Sequence, residues 1–129
     1  MSDPKHVFML DDERFLLDIY RMSFEKHGFE VSSYRNVDDA LAVLRTGARP
    51  DVILFDITMP DSKSGYEFIE TVRAEGLAPH ALKIALTNEG QDGEIARIME
   101  LGANVHFLKA NYLPAELVAE VSTLLESRS

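Results

Sequence analysis

Val52-Ile53-Leu54-Phe55-Asp56 is an unbroken apolar run that leads directly into a carboxylate. The same arrangement occurs near the N-terminus, where Val7-Phe8-Met9-Leu10 precedes Asp11 and Asp12. Short runs that are apolar throughout are typical of strands buried on both faces, as in parallel sheets covered by helices. We therefore predict that both runs are strands of one parallel sheet.

Two later runs end in polar residues in the same way. Lys83-Ile84-Ala85-Leu86 leads into Thr87, and Val105-His106-Phe107-Leu108 leads into Lys109. In open parallel sheets, ligands bind outside the carboxyl ends of the strands. The sequence therefore predicts a single site at one edge of the sheet, built from Asp11, Asp12, Asp56, Thr87 and Lys109.

Helical patterns alternate with these strand-like runs. An apolar stripe covers residues 13–27 and stops at Gly28, which suits a helix C-terminus. Residues 30–34 read as a short, more exposed strand. Asn36, with Asp39 three residues later, is a typical helix cap.

The same alternation continues to the end of the chain. Further helices are predicted up to Gly47, around residues 68–72, over about 92–101, and from Pro114 through Leu125. Strand then helix, repeated five times, implies an α/β fold with a doubly wound parallel sheet. We expect a five-stranded sheet in the flavodoxin-like order 2-1-3-4-5, with helices on both faces.

Length and composition limit the possibilities. The 129 residues suit one domain, 1–129, with a core over about 6–125 and short tails at 1–5 and 126–129. A formal net charge of −9 argues against direct nucleic-acid binding, and the absence of cysteine excludes disulfides and thiolate metal sites. The sequence has neither a membrane span nor a signal peptide, so we expect a cytoplasmic protein.

The three carboxylates need a counter-charge, because like charges held close together raise one another's pKa. Oxygen ligands favour Mg²⁺, with Mn²⁺ as a possible substitute. Mg²⁺ usually takes only one or two protein carboxylates, which leaves one aspartate available as a nucleophile for phosphoryl transfer. An ammonium at Lys109 and a hydroxyl at Thr87 would stabilise the charge of a phosphoryl group on that aspartate.

The chain resembles the receiver domain of two-component response regulators, the chemotaxis regulator being the minimal case. The resemblance extends from about His6 to Leu125 and rests on an ordered set of short motifs. These are Leu10-Asp11-Asp12-Glu13, Phe55-Asp56-Ile57-Thr58-Met59-Pro60, Ala85-Leu86-Thr87, Gly102-Ala103 and Phe107-Leu108-Lys109.

The resemblance implies a role for each matching residue. Asp56 would be the phosphoacceptor for a histidine kinase or phosphotransfer domain. Asp11 and Asp12 would hold Mg²⁺ together with Asp56 and the backbone carbonyl of Thr58. Lys109 would pair with Asp56 and then with its phosphoryl group.

The resemblance also implies a switch. Thr87 would move toward the phosphoryl group and His106 would follow it inward. That movement would change the surface made by the fourth helix, fifth strand and fifth helix, where a downstream protein would bind. Such a domain is not an ordinary enzyme, although it assists its own phosphorylation and dephosphorylation.

Four positions depart from the family pattern. Ala110 follows Lys109 where proline is common, and we expect a trans bond between them. The loop from Pro60 reaches Gly65 one residue late, which is expected to be neutral or to alter kinase docking. Asn88 replaces a small residue and, with Thr58 and Glu89, would set the phosphate lifetime.

The fourth departure is His106, which stands where tyrosine or phenylalanine is commoner. It is either an aromatic-sized residue half buried on an end strand or a switch whose packing depends on pH. The other histidines, His6, His27 and His80, are expected in termini or loops and form no ligand cluster.

Two alternatives remain open from the sequence. One is a pseudo-receiver that binds partners without being phosphorylated, for which Ala110 and Asn88 are the main indications. The other is a phosphatase of the haloacid dehalogenase class, which also uses an aspartate nucleophile and Mg²⁺. That class needs Asp-x-Asp after its first strand, whereas this chain has Asp11-Asp12-Glu13 there, and Asp56-Ile57-Thr58 lacks the second aspartate. The class also usually carries a cap insertion, which this sequence does not show.

Overall fold

The computed structural model describes residues 4–59, 63–88 and 92–128. Five strands alternate with five α-helices, and a short 3₁₀ helix follows the last strand. In chain order the elements are β1 (His6–Leu10), α1 (Arg14–Lys26), β2 (Glu30–Tyr34), α2 (Val37–Leu44), β3 (Val52–Asp56), α3 (Gly65–Ala74), β4 (Leu82–Thr87), α4 (Asp92–Leu101), β5 (Val105–Leu108), the 3₁₀ turn Lys109–Asn111 and α5 (Pro114–Arg128).

All neighbouring strands are parallel, and their order is β2-β1-β3-β4-β5. This confirms the predicted flavodoxin-like sheet. The register brings the strand ends to one level: Leu10 pairs with Phe55, and Asp56 pairs with Leu86. Asp11 therefore leaves β1 beside Asp56, at the carboxyl edge of the sheet.

Helices cover both faces of the sheet. Phe8, Phe55 and Ala85 point into one apolar cluster with residues of α2, α3 and α4. Leu54 and Ile84 point into a second cluster with residues of α1 and α5. Because side chains alternate between the faces of a strand, each apolar run supplies both clusters.

Burial is nearly complete along three strands and partial along β5. Every residue of β3 is buried, and β1 and β4 are buried apart from His6 and Lys83. Residues 105–108 are all half-buried instead, because β5 forms the edge of the sheet and has a neighbour on one side alone. A local apolar run does not reveal whether its strand is central or at an edge.

Two helix starts show side-chain capping. The Oδ1 atom of Asn36 accepts a hydrogen bond from the backbone N–H of Asp39 at 2.8 Å, which confirms the predicted cap of α2. Ser64 and Glu67 form a reciprocal capping box at the start of α3, which was not predicted from the sequence. The box fixes where α3 begins, directly after the loop that follows β3.

Two expectations at the ends of the chain are wrong. Helix α5 continues through Arg128, so residues 126–128 are helical rather than part of a tail. His6 lies in β1 and not in a terminus or loop, and its Nε2 atom is 2.7 Å from the Ser32 hydroxyl on β2. Among the described helices, none is long and apolar enough to cross a membrane.

Candidate functional site

The carboxyl edge of the sheet brings together the three aspartates predicted from the sequence. Asp11 and Asp56 are 3% and 2% exposed, and Asp12 is half-buried. One carboxylate oxygen from each of the three lies within 4.8 Å of the other two. Three acidic groups at this spacing can all be ionised together only when positive charge is nearby.

Tight turns after β1 and β3 orient two of these carboxylates. The backbone N–H of Glu13 donates to Oδ1 of Asp11 at 3.0 Å, and the backbone N–H of Thr58 donates to Oδ1 of Asp56 at 3.0 Å. Aspartate commonly hydrogen-bonds the backbone two residues later in this way. Each strand therefore ends in the same local structure, with Oδ2 left to face the site.

Lys109 supplies positive charge to both Oδ2 atoms. Its Nζ atom lies 2.7 Å from Oδ2 of Asp11 and 3.1 Å from Oδ2 of Asp56. The Lys109 side chain is 6% exposed, so it is almost completely buried, as are the two aspartates that it contacts. The family resemblance implied a pair with Asp56; the structure adds a shorter contact with Asp11.

For both Asp56 and Lys109, burial and the ion-pair contacts shift the pKa in opposite directions. Burial raises the pKa of Asp56 to about 6, and the neighbouring charge of Asp11 raises it as well, while Lys109 partly offsets both. Burial alone would lower the pKa of Lys109, but hydrogen bonding to Asp11 and the charges of both aspartates raise it. Lys109 is therefore an ammonium ion in the site, and Asp56 titrates within two pH units of neutrality.

The donor set fits a hard divalent cation. The three carboxylate oxygens come from Asp11, Asp12 and Asp56, and oxygen ligands at close spacing select Mg²⁺ or Mn²⁺ over zinc or copper. The backbone N–H of Thr58 belongs to the turn held by Asp56, and the Thr58 carbonyl as a further ligand stays a prediction. Nothing in the donor chemistry conflicts with the predicted magnesium site.

Thr87 ends β4 beside the aspartates and is 4% exposed. Its Oγ1 atom lies 2.8 Å from Nε2 of His106, so the two side chains share a hydrogen bond. His106 is half-buried on the edge strand β5, and burial lowers its pKa. The two residues named as a switch from the sequence are thus in direct contact.

The connection after β5 carries Lys109 into the site. Residues Lys109–Asn111 form a 3₁₀ turn, and the described part of the chain contains no cis peptide bond. The bond between Lys109 and Ala110 is therefore trans, as predicted. Proline is not needed here for the lysine to reach two carboxylates.

Gly65 has a structural role that the sequence analysis missed. Its backbone N–H donates to the carbonyl oxygen of Ile57 at 2.9 Å, which brings the start of α3 against the turn after Asp56. A Cβ atom at this position would lie 2.6 Å from Cα of Ile57 and closer still to the carbonyl oxygen of Asp56. The glycine after Ser64 was the available signal, but only packing shows what it touches.

Parts of the predicted site lie outside the described residues. Pro60, Asp61 and Ser62 of the longer loop and Glu89 after Thr87 belong to these. Asn88 is described and exposed. Predictions about loop length and about Glu89 therefore stay predictions.

Comparisons with known proteins agree with this geometry. A family model described as the response regulator receiver domain matches residues 7–122. The response regulator SaeR of Staphylococcus aureus (strain USA300) is 29% identical over 121 residues, which are 93% of this chain and 50% of that protein. The chain thus spans about half the length of the curated relatives it matches.

Solved structures give the same result. A CheY-like response regulator receiver domain protein from Methanospirillum hungatei JF-1 superimposes with a TM-score of 0.84 at 26% identity, covering 96% of this chain and 95% of that one. The chemotaxis protein CheY4 of Vibrio cholerae also gives 0.84 at 25% identity, covering 93% and 98%. Both similarities extend over essentially whole chains.

Proposed function

This chain belongs to the response regulator receiver domain family, and we propose that it accepts a phosphoryl group on Asp56 from a histidine kinase or phosphotransfer domain. The observation that carries the proposal is the contact of Lys109 with both Asp11 and Asp56 inside an acidic site. A buried ammonium positioned between a metal-binding and a phosphate-accepting carboxylate suits both functions. The family is a signalling family, not one of ordinary enzymes.

In the proposed reaction, a carboxylate oxygen of Asp56 attacks the phosphorus of a phosphohistidine. The new O–P bond forms as the P–N bond breaks, and the electron pair of that bond returns to the histidine nitrogen. The pKa of Asp56, about 6, means that the nucleophilic carboxylate form predominates at neutral pH. Lys109 donates a hydrogen bond to Oδ2 of Asp56 at 3.1 Å, so its positive charge lies beside the group that would carry the phosphoryl oxygens.

Asp11, Asp12, Asp56 and the Thr58 carbonyl would hold Mg²⁺, with Mn²⁺ as a substitute. The bound cation would supply positive charge to the phosphoryl oxygens. Oδ1 of Asp11 already accepts a hydrogen bond from the Glu13 backbone, which limits the rotation of the carboxylate and keeps Oδ2 directed toward Lys109. These residues thus position the acceptor, while Lys109 neutralises the remaining charge.

Output would pass through Thr87 and His106 to the surface formed by α4, β5 and α5. Their hydrogen bond connects the end of β4 with the edge strand β5. The half-buried residues of β5 lie where a change at Thr87 can reach the exterior. We propose that a downstream protein binds this surface, which we term the output face.

Two alternatives make different predictions. A pseudo-receiver would keep the fold and bind partners but take up no phosphoryl group. The haloacid dehalogenase class fits less well, since the family model covers residues 7–122 as a receiver domain. Hydrolysis of a generic phosphate ester with many turnovers would favour the phosphatase.

The test is phosphorylation with acetyl phosphate and Mg²⁺, read by the intact mass of the protein. We expect a mass increase of one phosphoryl group in the wild type and none in Asp56→Asn. Asp38→Asn is the matched control, because Asp38 is an exposed residue of α2 paired with Lys63. An unmodified wild type in the presence of Mg²⁺ would support the pseudo-receiver.

A second arm tests the metal and the partner. Omission of Mg²⁺ or the variant Asp12→Asn is expected to abolish or greatly slow uptake. Capture of proteins from lysate by the phosphorylated and unphosphorylated forms then tests the output face. Equal uptake with and without a divalent cation would contradict the proposed metal site.

A further inference from the structure

The hydrogen bond between Thr87 and His106 has a chemistry that tyrosine or phenylalanine at position 106 would not provide. In the sheet, Ala85 is the register partner of His106, and Thr87 lies two residues further along β4. Side chains two residues apart on a strand share a face. Thr87 and His106 therefore meet diagonally on the α4 side of the sheet, where Ala85 contributes to the core.

The contact joins two groups that can exchange roles. A neutral imidazole can accept the hydroxyl proton of Thr87 at Nε2 or donate its own proton to Oγ1, depending on the tautomer. A protonated imidazole can only donate, so Thr87 Oγ1 becomes the acceptor. The hydroxyl proton of Thr87 is then free to point elsewhere, toward an oxygen at the end of the neighbouring strand.

The surroundings of His106 favour the neutral ring in the resting protein. Burial lowers the pKa of His106, and among the described residues no charged group contributes to that shift. On β4 the titratable group is Lys83, whose ammonium donates to the carbonyls of Ala78 and Ala81. The charged residues of the helices packed near β5 are Asp92, Glu94, Arg97 and Glu100 on α4 and Glu116, Glu120, Glu126 and Arg128 on α5.

On the premise that Asp56 is the phosphoacceptor, we propose that His106 is a positioning residue for the Thr87 hydroxyl, and that a proton bound to His106 strengthens the phosphorylated state. The protonated ring holds Oγ1 as an acceptor and directs the hydroxyl proton toward the phosphoryl group. The protonated ring also adds a positive charge on the strand next to Thr87, which favours the negative charge of a phosphoryl group on Asp56. Proton binding and phosphoryl binding therefore favour each other.

This coupling predicts that the affinity for a phosphoryl mimic depends on pH through His106. Beryllofluoride, which mimics an aspartyl phosphoryl group, is used with Mg²⁺ as the probe. The affinity of the wild type is divided by that of His106→Gln at each pH, because this ratio cancels the pH dependence of the probe and of Asp56. We expect the ratio to rise by about fivefold or more from pH 8 to pH 6.

Controls separate positioning from packing. His27→Gln changes an exposed histidine whose Nδ1 contacts the Ser23 carbonyl on α1, and its ratio should stay flat. Thr87→Val keeps His106 but removes the hydroxyl, and most of the pH dependence should be lost with it. The imidazole resonances of His106, followed by NMR, should report a higher pKa with beryllofluoride bound than without it.

The outcomes distinguish this inference from the proposed function. If the wild type binds beryllofluoride and Asp56→Asn does not, while the ratio to His106→Gln is the same at pH 6 and pH 8, the inference is overturned and the proposed function stands. If the wild type fails to bind at any pH, the proposed function is refuted and the inference with it. An unfolded His106→Gln would be recognised by its NMR spectrum. The inference would then be tested by the pKa of His106, which should rise on beryllofluoride binding in the wild type and rise less in Thr87→Val. An unchanged pKa in the wild type would overturn it.

Discussion

Lys109 lies closer to Asp11 than to Asp56, with distances of 2.7 Å and 3.1 Å from its Nζ atom to the two Oδ2 atoms. One buried ammonium therefore contacts the proposed metal ligand and the proposed phosphoacceptor together and offsets part of their combined charge. A cation bound by Asp11 would compete with Lys109 for the same carboxylate. Lys109 would then be released toward Asp56, where a phosphoryl group needs it.

Removal of this ammonium should destabilise the protein when no metal is present. For Lys109→Met at pH 8 with a chelator, we expect the free energy of unfolding to fall by about 3 kcal/mol, because two buried carboxylates lose their counter-charge. Mg²⁺ should restore part of the loss. Urea denaturation measures both effects.

The matched control for that experiment is Lys63→Met. Lys63 forms an ion pair with Asp38 at 2.9 Å, but both side chains are more than half exposed. Exposed pairs contribute little, so its effect should be small and insensitive to Mg²⁺. Similar losses in the two lysine variants would contradict the importance of the buried contact.

Asp56 should make stability depend on pH in a definite direction. Its pKa is about 6 in the folded protein, above the ordinary value of 3.8, because of burial. The stability that its neutral form contributes is fully present below about pH 4 and is lost as the pH rises through 6. In metal-free buffer, Asp56→Asn should therefore gain on the wild type by on the order of 1 to 3 kcal/mol between pH 4 and pH 7.

Denaturation of both proteins across that pH range tests the sign. Asp38→Asn, which changes an exposed carboxylate, should follow the wild type more closely. A constant difference between Asp56→Asn and the wild type would mean that Asp56 titrates as an ordinary carboxyl group.

A side chain at position 65 should lower the free energy of unfolding. A Cβ atom there would meet the backbone at Ile57, 2.6 Å from its Cα, and the carbonyl of Asp56. These atoms belong to the backbone between Asp56 and Ile57, which cannot move aside as a flexible side chain could, so we expect Gly65→Ala to lose about 2 kcal/mol of stability. It should also shift the NMR resonances of Asp56 and Thr58.

Gly93→Ala provides the comparison within a helix. Nothing lies within 4 Å of a Cβ atom built at Gly93, near the start of α4. Alanine should be neutral or stabilise by up to about 1 kcal/mol, since it favours the helix. If both alanine variants were equally stable, the close approach at Gly65 would not constrain the loop.

Asn88 should influence how long the phosphoryl group survives. It follows Thr87 directly and is exposed, so we expect its side chain to hinder the approach of water to the site and thereby slow hydrolysis. We expect Asn88→Ala to shorten the half-life of phosphorylated protein severalfold, measured by intact mass after removal of the phosphate donor. A half-life equal to that of the wild type would reject this role.

The strands were predictable because local pattern and tertiary position coincide in a doubly wound sheet. A central parallel strand is buried on both faces, so residues 52–55 of β3 had to be apolar throughout. The Asn36 cap was readable for a similar reason, since donor and acceptor are three residues apart. The half-buried state of β5 does not show in its local apolar run, because it depends on which strand has no second neighbour; the predicted strand order was needed to place His106 on an end strand.

Some features of the site were also predictable from the sequence, and others were not. Which residues stand at the strand ends follows from the sequence, and a parallel sheet then brings Asp11, Asp56 and Lys109 to one edge. Their distances do not follow, because Lys109 and Asp11 are separated by 98 positions and meet only in the assembled sheet. The close approach of Gly65 to the turn after Asp56 likewise depends on how α3 packs.

The sequence by itself determined the order of strands and helices, and with it the set of side chains at the carboxyl edge. Periodicity and the hydrogen bonds of caps and turns depend on residues that are close in sequence, so they can be predicted from the sequence alone. Tertiary structure alone decided that Lys109 bridges two aspartates and that Thr87 shares a hydrogen bond with His106. Those contacts join different strands, and their geometry exists only once the register of the sheet is set.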